Sequence, residues 1–441
     1  MGIEAGVLGS ILASQMWQSG PLDFQSKRWA LIFWVSCGSL VAGLLMVAWG
    51  WLSRKQTRQE IVLPALANGI FVVAAFALSE AAVRVLAQPD PFGSRVGGVL
   101  LRPFDWSTYG EHNLTLYQNS LAPDAFYVGH DRLGWTVGPS RSYDDGLYVS
   151  SRRGLRSAVQ GEDLFNRTHA SRIGLFGDSF MFSEEVVYGE SLQHHLESAV
   201  DGAHQVLSFG VPGYGLDQAV LRYELEVDWE IDIAVLAFIR DDVNRALNVY
   251  TGLKPSWGIP FSKGRYLYDG QTWQLHNVPN MPPEAIYRRE DPFSLPTIEH
   301  DVEFLAHDWE PQMLDWSHLF RYLASVYPPW AEASGSTGED AFLAIGAFLA
   351  GRFMELAQQR QARALLVYLP SRSDFNDRSQ QQKRQLLDAM SGSGLTVYDA
   401  TECLLSHADQ DTLYVEGGTH YSDTGNRALS RCLLAELALN R

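Results

Sequence analysis

Arg172-Ile173-Gly174-Leu175-Phe176-Gly177-Asp178-Ser179-Phe180 is the stretch on which the fold of this chain turns. Residues 173–176 form a short apolar run without polar alternation, the pattern of a strand buried on both faces. The run stops at Gly177-Asp178-Ser179. A serine just after a buried strand, at the start of a helix, has a backbone N–H with no intrahelical partner, so it can face an anion. Taken alone, a Gly-Asp-Ser tripeptide reads more readily as a helix cap, so the rest of the chain has to decide.

Runs of the same kind recur at 205–209, 233–238, 364–369 and 395–398. Helical patterns over 190–200, 217–227, 341–359 and 379–390 separate them. Buried strands alternating with amphipathic helices predict a parallel sheet covered on both faces, with ligands beyond the carboxyl ends of its strands. Two further segments fall at such ends. Ser208-Phe209-Gly210-Val211-Pro212-Gly213-Tyr214-Gly215 follows the second run, and its glycines permit a tight turn whose N–H faces the same site. Gly417-Gly418-Thr419-His420-Tyr421 leads into the last helix and carries a loop histidine that can act as general base for a serine.

Two regions interrupt the alternation. Residues 89–170 read as a leader of short strands and loops packed on a main domain over 171–441. Residues 251–340 read as an inserted cap or side module over the strand ends, with a hairpin around Tyr268-Asp269-Gly270.

Residues 1–88 read as a membrane anchor. Residues 29–52 carry no charge over 24 positions, about 36 Å as a helix, and residues 61–79 make a second uncharged run of 19. The basic cluster Arg54-Lys55 and Arg58 lies between them, which puts that loop in the cytoplasm and both termini outside. The expectation is an inner-membrane protein with two spans, the lipid bilayer as one partner, and its main domain periplasmic.

Charge follows this division. The chain of 441 residues has a formal net charge of -17; its first 88 residues carry +2 and the remainder -19. So acidic a body repels phosphate backbones, which excludes nucleic acid as a partner. Three cysteines, Cys37, Cys403 and Cys432, make no disulfide scaffold and have no zinc-type spacing; Cys403 and Cys432 can bridge in an oxidising compartment.

The order and spacing of these blocks resemble the SGNH/GDSL hydrolase superfamily, and within it the bacterial membrane-tethered members whose first block is Gly-Asp-Ser-Phe. The resemblance covers about residues 129–441 and includes Asp131-Arg132-Leu133-Gly134-Trp135 and Arg153-Gly154-Leu155-Arg156. It implies a flavodoxin-like three-layer αβα sandwich and the cleavage or transfer of acyl esters. Position by position it implies Ser179 as nucleophile with Asp178 beside it, Gly213 as an N–H donor to the oxyanion, and His420 as the base. It implies no metal and no cofactor.

Two positions depart from the family pattern. Its third block supplies an Asn ahead of an Asp, whereas here Asp241 precedes Asp242. A carboxylate there opposes a developing oxyanion, and losing such a donor costs roughly 10²–10³ in rate. Three repairs are open: Asp241 protonated in a dry site, Asn244 reaching in one turn later, or Arg240 supplying the charge. Asn244 is favoured, and helix capping by Asp241 and Asp242 is the plain alternative. The family acid stands three residues before the histidine, at Gly417 here. Glu416 takes that role if the loop carries an extra residue; otherwise the site is a Ser–His dyad.

Two functions follow. One is a membrane-anchored, extracytoplasmic esterase or acyltransferase acting on O-acylated envelope glycans. The other is a weakened or inactive accessory subunit of a larger membrane protein complex.

Overall fold

The computed structural model describes residues 58–165, 171–253, 258–326 and 337–439. The expected span over 29–52 lies outside them. The chain divides into two compact units, Met1–Tyr109 with Ala306–Ala331, and Gly110–Leu305 with Glu332–Arg441.

The larger unit is built on five parallel strands: β1 Ser171–Phe176, β2 His204–Ser208, β3 Ile233–Phe238, β4 Arg363–Tyr368 and β5 Val397–Asp399. Their spatial order is β5-β4-β3-β1-β2. The chain leaves β1 toward β2 on one side and fills β3, β4 and β5 on the other. The point of reversal therefore lies between β1 and β3, where an open α/β sheet offers a crevice for a ligand.

Each strand packs on both faces, although the edge strand β5 is only half-buried. Phe176, Leu236, Phe238, Leu366 and Tyr368 pack against Val220 and Tyr223 of helix α3 (Leu216–Leu225), Ile345, Leu349 and Phe353 of α5 (Thr337–Gln359), and Leu386 and Met390 of α6 (Asp377–Gly392). Ile173, Leu175, Val235, Ala237 and Val367 point the other way, onto Leu192 and Leu196 of α2 (Leu192–Ala199) and Leu429 and Leu433 of α7 (Asp423–Glu436). Two short helices complete the set, α1 (Ser179–Phe182) after β1 and α4 (Arg240–Arg245) after β3. Helix ends fall where side chains supply caps: Ser191 accepts from the His194 N–H at α2, and Ser422 from the Gly425 N–H at α7. His195 is largely buried, with Nε2 2.8 Å from Asp423 at the start of α7.

Within the larger unit the leader contributes two antiparallel pairs, Tyr127–His130 with Gly134–Val137 and Ser142–Tyr143 with Tyr148–Val149. The expected hairpin forms between Arg265–Tyr268 and Trp273–His276. Ahead of it, Ile259 and Phe261 pack with Phe182, Val211 and Tyr214 of the segments beside Ser179. Trp273 stacks on Phe348 of α5 at 4.6 Å, and Lys263 forms a buried pair with Asp217 of α3. Among the described residues, no hydrogen bond or ion pair joins 258–305 to Ser179 or His420.

The smaller unit departs from the expected boundaries, because 306–331 joins the N-terminal segment rather than the insertion. The reason is a cap. Glu80 accepts hydrogen bonds from Ser317 Oγ (2.7 Å), the His318 N–H (3.0 Å) and the Leu319 N–H (2.9 Å), closing the first turn of helix His318–Val326. Glu80 belongs to helix Arg58–Leu86, whose Gly69–Leu86 stretch is long and apolar enough to cross a membrane.

Candidate active site

Ser179 begins α1 at the carboxyl end of β1. The backbone turns there at Gly177, where a Cβ would come within 2.5 Å of the Ala237 carbonyl and 2.6 Å of Met181. Asp178 caps the helix, its Oδ1 accepting from the Phe180 N–H at 2.9 Å. Ser179 Oγ stands 2.8 Å from His420 Nε2 and 3.2 Å from Asp178 Oδ2. The hydroxyl has one hydrogen for these two acceptors, and the shorter contact is to the imidazole. His420 arrives on the loop before α7, a turn closed by Gly418 N–H to Val415 O (2.9 Å) and Val415 N–H to His420 O (3.0 Å).

The carboxylate beneath His420 is Glu185, six residues after the serine and absent from the sequence reading. Its Oε2 lies 3.3 Å from His420 Nδ1 and accepts the Thr419 and His420 backbone N–H groups, both at 3.0 Å. Burial raises the Glu185 carboxyl. The His420 backbone N–H, the imidazole charge and the Thr419 N–H outweigh that effect and hold it below the ordinary range. Glu416 is exposed and lies in the turn, not against the imidazole. Gly417 has φ +71°, so the family's acid position is occupied by a left-handed turn residue. Gly418 admits the replacement, since a Cβ there would fall 2.3 Å from Glu185 Oε2. A second acid, Glu184, brings its Oε2 to 3.4 Å from His420 Nε2. Burial raises its carboxyl above the usual range, against the pull of His420.

The block after β3 is arranged differently from each of the three repairs. The Asp241 side chain is 48% exposed and pairs with Arg240 at 3.3 Å, so it does not stand in a dry site. Arg240 turns to Ser379 Oγ (3.0 Å) and Gln382 (2.8 Å) of α6. Asn244 is exposed and lines a cavity with Arg240, Phe342 and Gln382. Asp242 is the residue that caps, its Oδ2 accepting the Ile239 N–H at 3.0 Å.

The residue that reaches the site is Arg245, again absent from the sequence reading. Its Nη1 donates to Asp178 Oδ2 (3.2 Å), Asp242 Oδ1 (2.9 Å) and the Tyr214 carbonyl (2.9 Å). Burial and the neighbouring Asp178 charge push the Asp242 carboxyl well up, while Arg245 pulls it down. Burial also lowers the guanidinium, but the Asp242 and Asp178 carboxylates outweigh it and raise Arg245. One cation thus ties α4 to the carboxylate that touches the serine hydroxyl. The local signal is the Asp242-x-x-Arg245 spacing, which places both on one helix face.

Gly213, with φ +83°, lies in the loop after β2. That loop packs directly on α1: Val211 N–H bonds Gly177 O at 3.3 Å, and a Cβ on Gly210 would meet the Phe182 nitrogen at 2.4 Å. Leader residues clamp both loops. Trp135 Nε1 donates to Pro212 O (3.2 Å), Tyr214 Oη to Trp135 O (2.6 Å), and buried Arg156 to the carbonyls of Phe182 (2.7 Å) and Ser183 (2.5 Å).

Away from this centre, Cys403, His407 and Cys432 place metal-type ligand atoms within 4.8 Å of one another. The two cysteines are joined in a disulfide, which removes both thiolates as ligands.

No family model matches the chain, and no curated protein matches it by sequence. Solved structures similar to it include a lipase/acylhydrolase from Enterococcus faecalis (13% identity, 60% of this chain and 95% of that one, TM-score 0.32). Others are a lipolytic protein of the G-D-S-L family from Veillonella parvula (9%, 61% and 99%, 0.32) and a carbohydrate acetylesterase from Sinorhizobium meliloti (9%, 61% and 98%, 0.27). This chain resembles the SGNH/GDSL hydrolases. What places it beside them is the order of its blocks, the β5-β4-β3-β1-β2 sheet and the meeting of Ser179 with His420 at the end of β1.

Proposed function

We propose that this protein is an SGNH-type acyl ester hydrolase or acyltransferase that works through Ser179, His420 and Glu185. The observation that carries the reading is the line Ser179 Oγ–His420 Nε2 at 2.8 Å and His420 Nδ1–Glu185 at 3.3 Å. Glu185 keeps the Nδ1 hydrogen in place, leaving Nε2 to accept the serine proton. Ser179 Oγ attacks the acyl carbonyl, and the N–H groups of Ser179 and Gly213 hold the oxyanion. His420 then passes the proton to the departing alkoxide, and water or an acceptor hydroxyl releases the acyl group by the same steps in reverse. Arg245 screens Asp178, so that this carboxylate competes weakly for the serine hydrogen.

The apolar Gly69–Leu86 stretch supports attachment to a bilayer, and the acidic body supports a neutral rather than polyanionic substrate. Together they favour an O-acylated envelope glycan as the ester, with the main domain on the periplasmic side. Turnover of p-nitrophenyl acetate by the purified protein beside Ser179→Ala tests the chemistry; equal turnover by the two overturns it.

One observation favours the second reading, an accessory subunit with a weakened site. Asp241, at the position where the family has an amide donor, is turned to Arg240 and solvent. Extraction from native membranes in mild detergent separates the readings, since migration as a lone monomer counts against a subunit of a complex.

A further inference from the structure

Within the smaller unit, the segment ahead of helix His318–Val326 exposes side chains that a water-facing loop would not favour. Met313 is 89% exposed and Trp316 62%, and Leu314 and Phe320 are also exposed. Two of them stand at a defined level on helix Arg58–Leu86. The Phe320 ring lies 5.7 Å from Phe76, and Arg84 Nη2 donates to the Trp316 carbonyl at 2.5 Å. Glu80, between Phe76 and Arg84, caps the first turn of His318–Val326.

Helix His318–Val326 is two-sided along its length. Past Glu80, Tyr322, Leu323 and Val326 pack on Val83 and Leu101 in a closed apolar cluster. Before Glu80, at the end where Arg58–Leu86 is apolar and exposed, Phe320 is open beside Phe76, while Trp316 lies level with Arg84 and Met313 and Leu314 are exposed in the segment leading to it. Glu80 and Arg84 mark the change, as the first charges after the uncharged run 61–79.

We propose that Met313, Leu314, Trp316 and Phe320 form an interfacial lip that enters the headgroup–acyl boundary of the bilayer beside the spanning helix. The inference rests on reading that helix as a membrane span. A span ending near Ser79 puts Phe76 just inside the hydrocarbon, so its partner Phe320 sits at the boundary and Trp316 at headgroup depth, where indole rings favour residence. Exposed apolar residues beside an anchor bury their surface in lipid, and the fixed lip sets the tilt and depth of the helix at that leaflet.

The test uses the full chain carrying Cys37→Ser, with an environment-sensitive fluorophore on Met313→Cys or, separately, on Val73→Cys, reconstituted in phosphatidylcholine–phosphatidylglycerol vesicles. Cys403 and Cys432 are bonded to each other and take no label. Met313 is almost fully exposed, so its replacement removes no packing. The label at 73 should be quenched most by nitroxide near the acyl-chain end. The label at 313 should shift to the blue, lose fluorescence to nitroxide near the headgroup, and be protected from aqueous iodide. Quenching at 73 with an iodide-accessible, unquenched label at 313 overturns the lip and leaves the span standing. A blue shift at 313 without nitroxide quenching places protein, not lipid, on the lip and also overturns it. Quenching at neither position overturns the span and the lip together.

Discussion

Replacing Glu185 by Gln probes the carboxylate that stands in for the acid missing at Gly417. The same oxygen, Oε2, accepts the Thr419 and His420 backbone N–H groups and stands 3.3 Å from the imidazole Nδ1. A glutamine oxygen keeps those three contacts in place and removes only the charge. Charge-assisted hydrogen bonds contribute roughly 1.5–3 kcal/mol, and each 1.36 kcal/mol off the barrier is tenfold in rate. The expected loss in kcat is therefore about 10- to 150-fold, with KM little changed, because Glu185 touches the histidine and not the ester. The measurement is kcat and KM for p-nitrophenyl acetate on wild type, Glu185→Gln and Glu416→Gln. Glu416 is exposed in the turn, so its variant should match wild type. Full activity in Glu185→Gln, or an equal loss in Glu416→Gln, refutes Glu185 as the acid that orients His420.

Gly418→Ala should reproduce much of that loss with an intact fold. Its Cβ would fall 2.3 Å from Glu185 Oε2, and the end of a flexible side chain can move away only by leaving His420; kcat beside a thermal melt checks this. Arg245→Met leaves Asp178 and Asp242 buried without their shared cation. Breaking such a pair costs about 3–5 kcal/mol, which a urea midpoint measures, and adding Asp242→Asn should restore part of it. Stability should also depend on Glu185 ionisation. Its folded carboxyl is held below the ordinary range, so its contribution is complete above the unfolded value and is lost as pH falls through the folded one. Melts of wild type and Glu185→Gln should differ at neutral pH and converge in acid.

The sheet was legible because its strands are buried on both faces: runs such as Ile233–Phe238 stand out only where nothing in the strand meets water. Ser179 and His420 were legible as well, each lying in a short block at a strand or loop end that chemistry marks. Glu185 was not, because nothing local joins it to a histidine 235 residues later; the contact exists only once α1 and the loop before α7 meet. The Asp241 position invited a local repair at Arg240 or Asn244, but those side chains turn toward α6 and solvent while Arg245 turns inward. The assignment of 306–331 to the N-terminal segment was equally hidden, since Glu80 caps a helix 237 residues away.

Covalent capture of the serine tests the nucleophile most directly. Wild type, Ser179→Ala and His420→Ala are treated with a fluorophosphonate and digested, and the modified peptide is identified by mass spectrometry. A single adduct on Ser179 in the wild type, none in Ser179→Ala and much slower labelling in His420→Ala is the expected result. An unmodified Ser179 in folded protein, or labelling at the same rate without His420, would contradict a serine activated by this histidine.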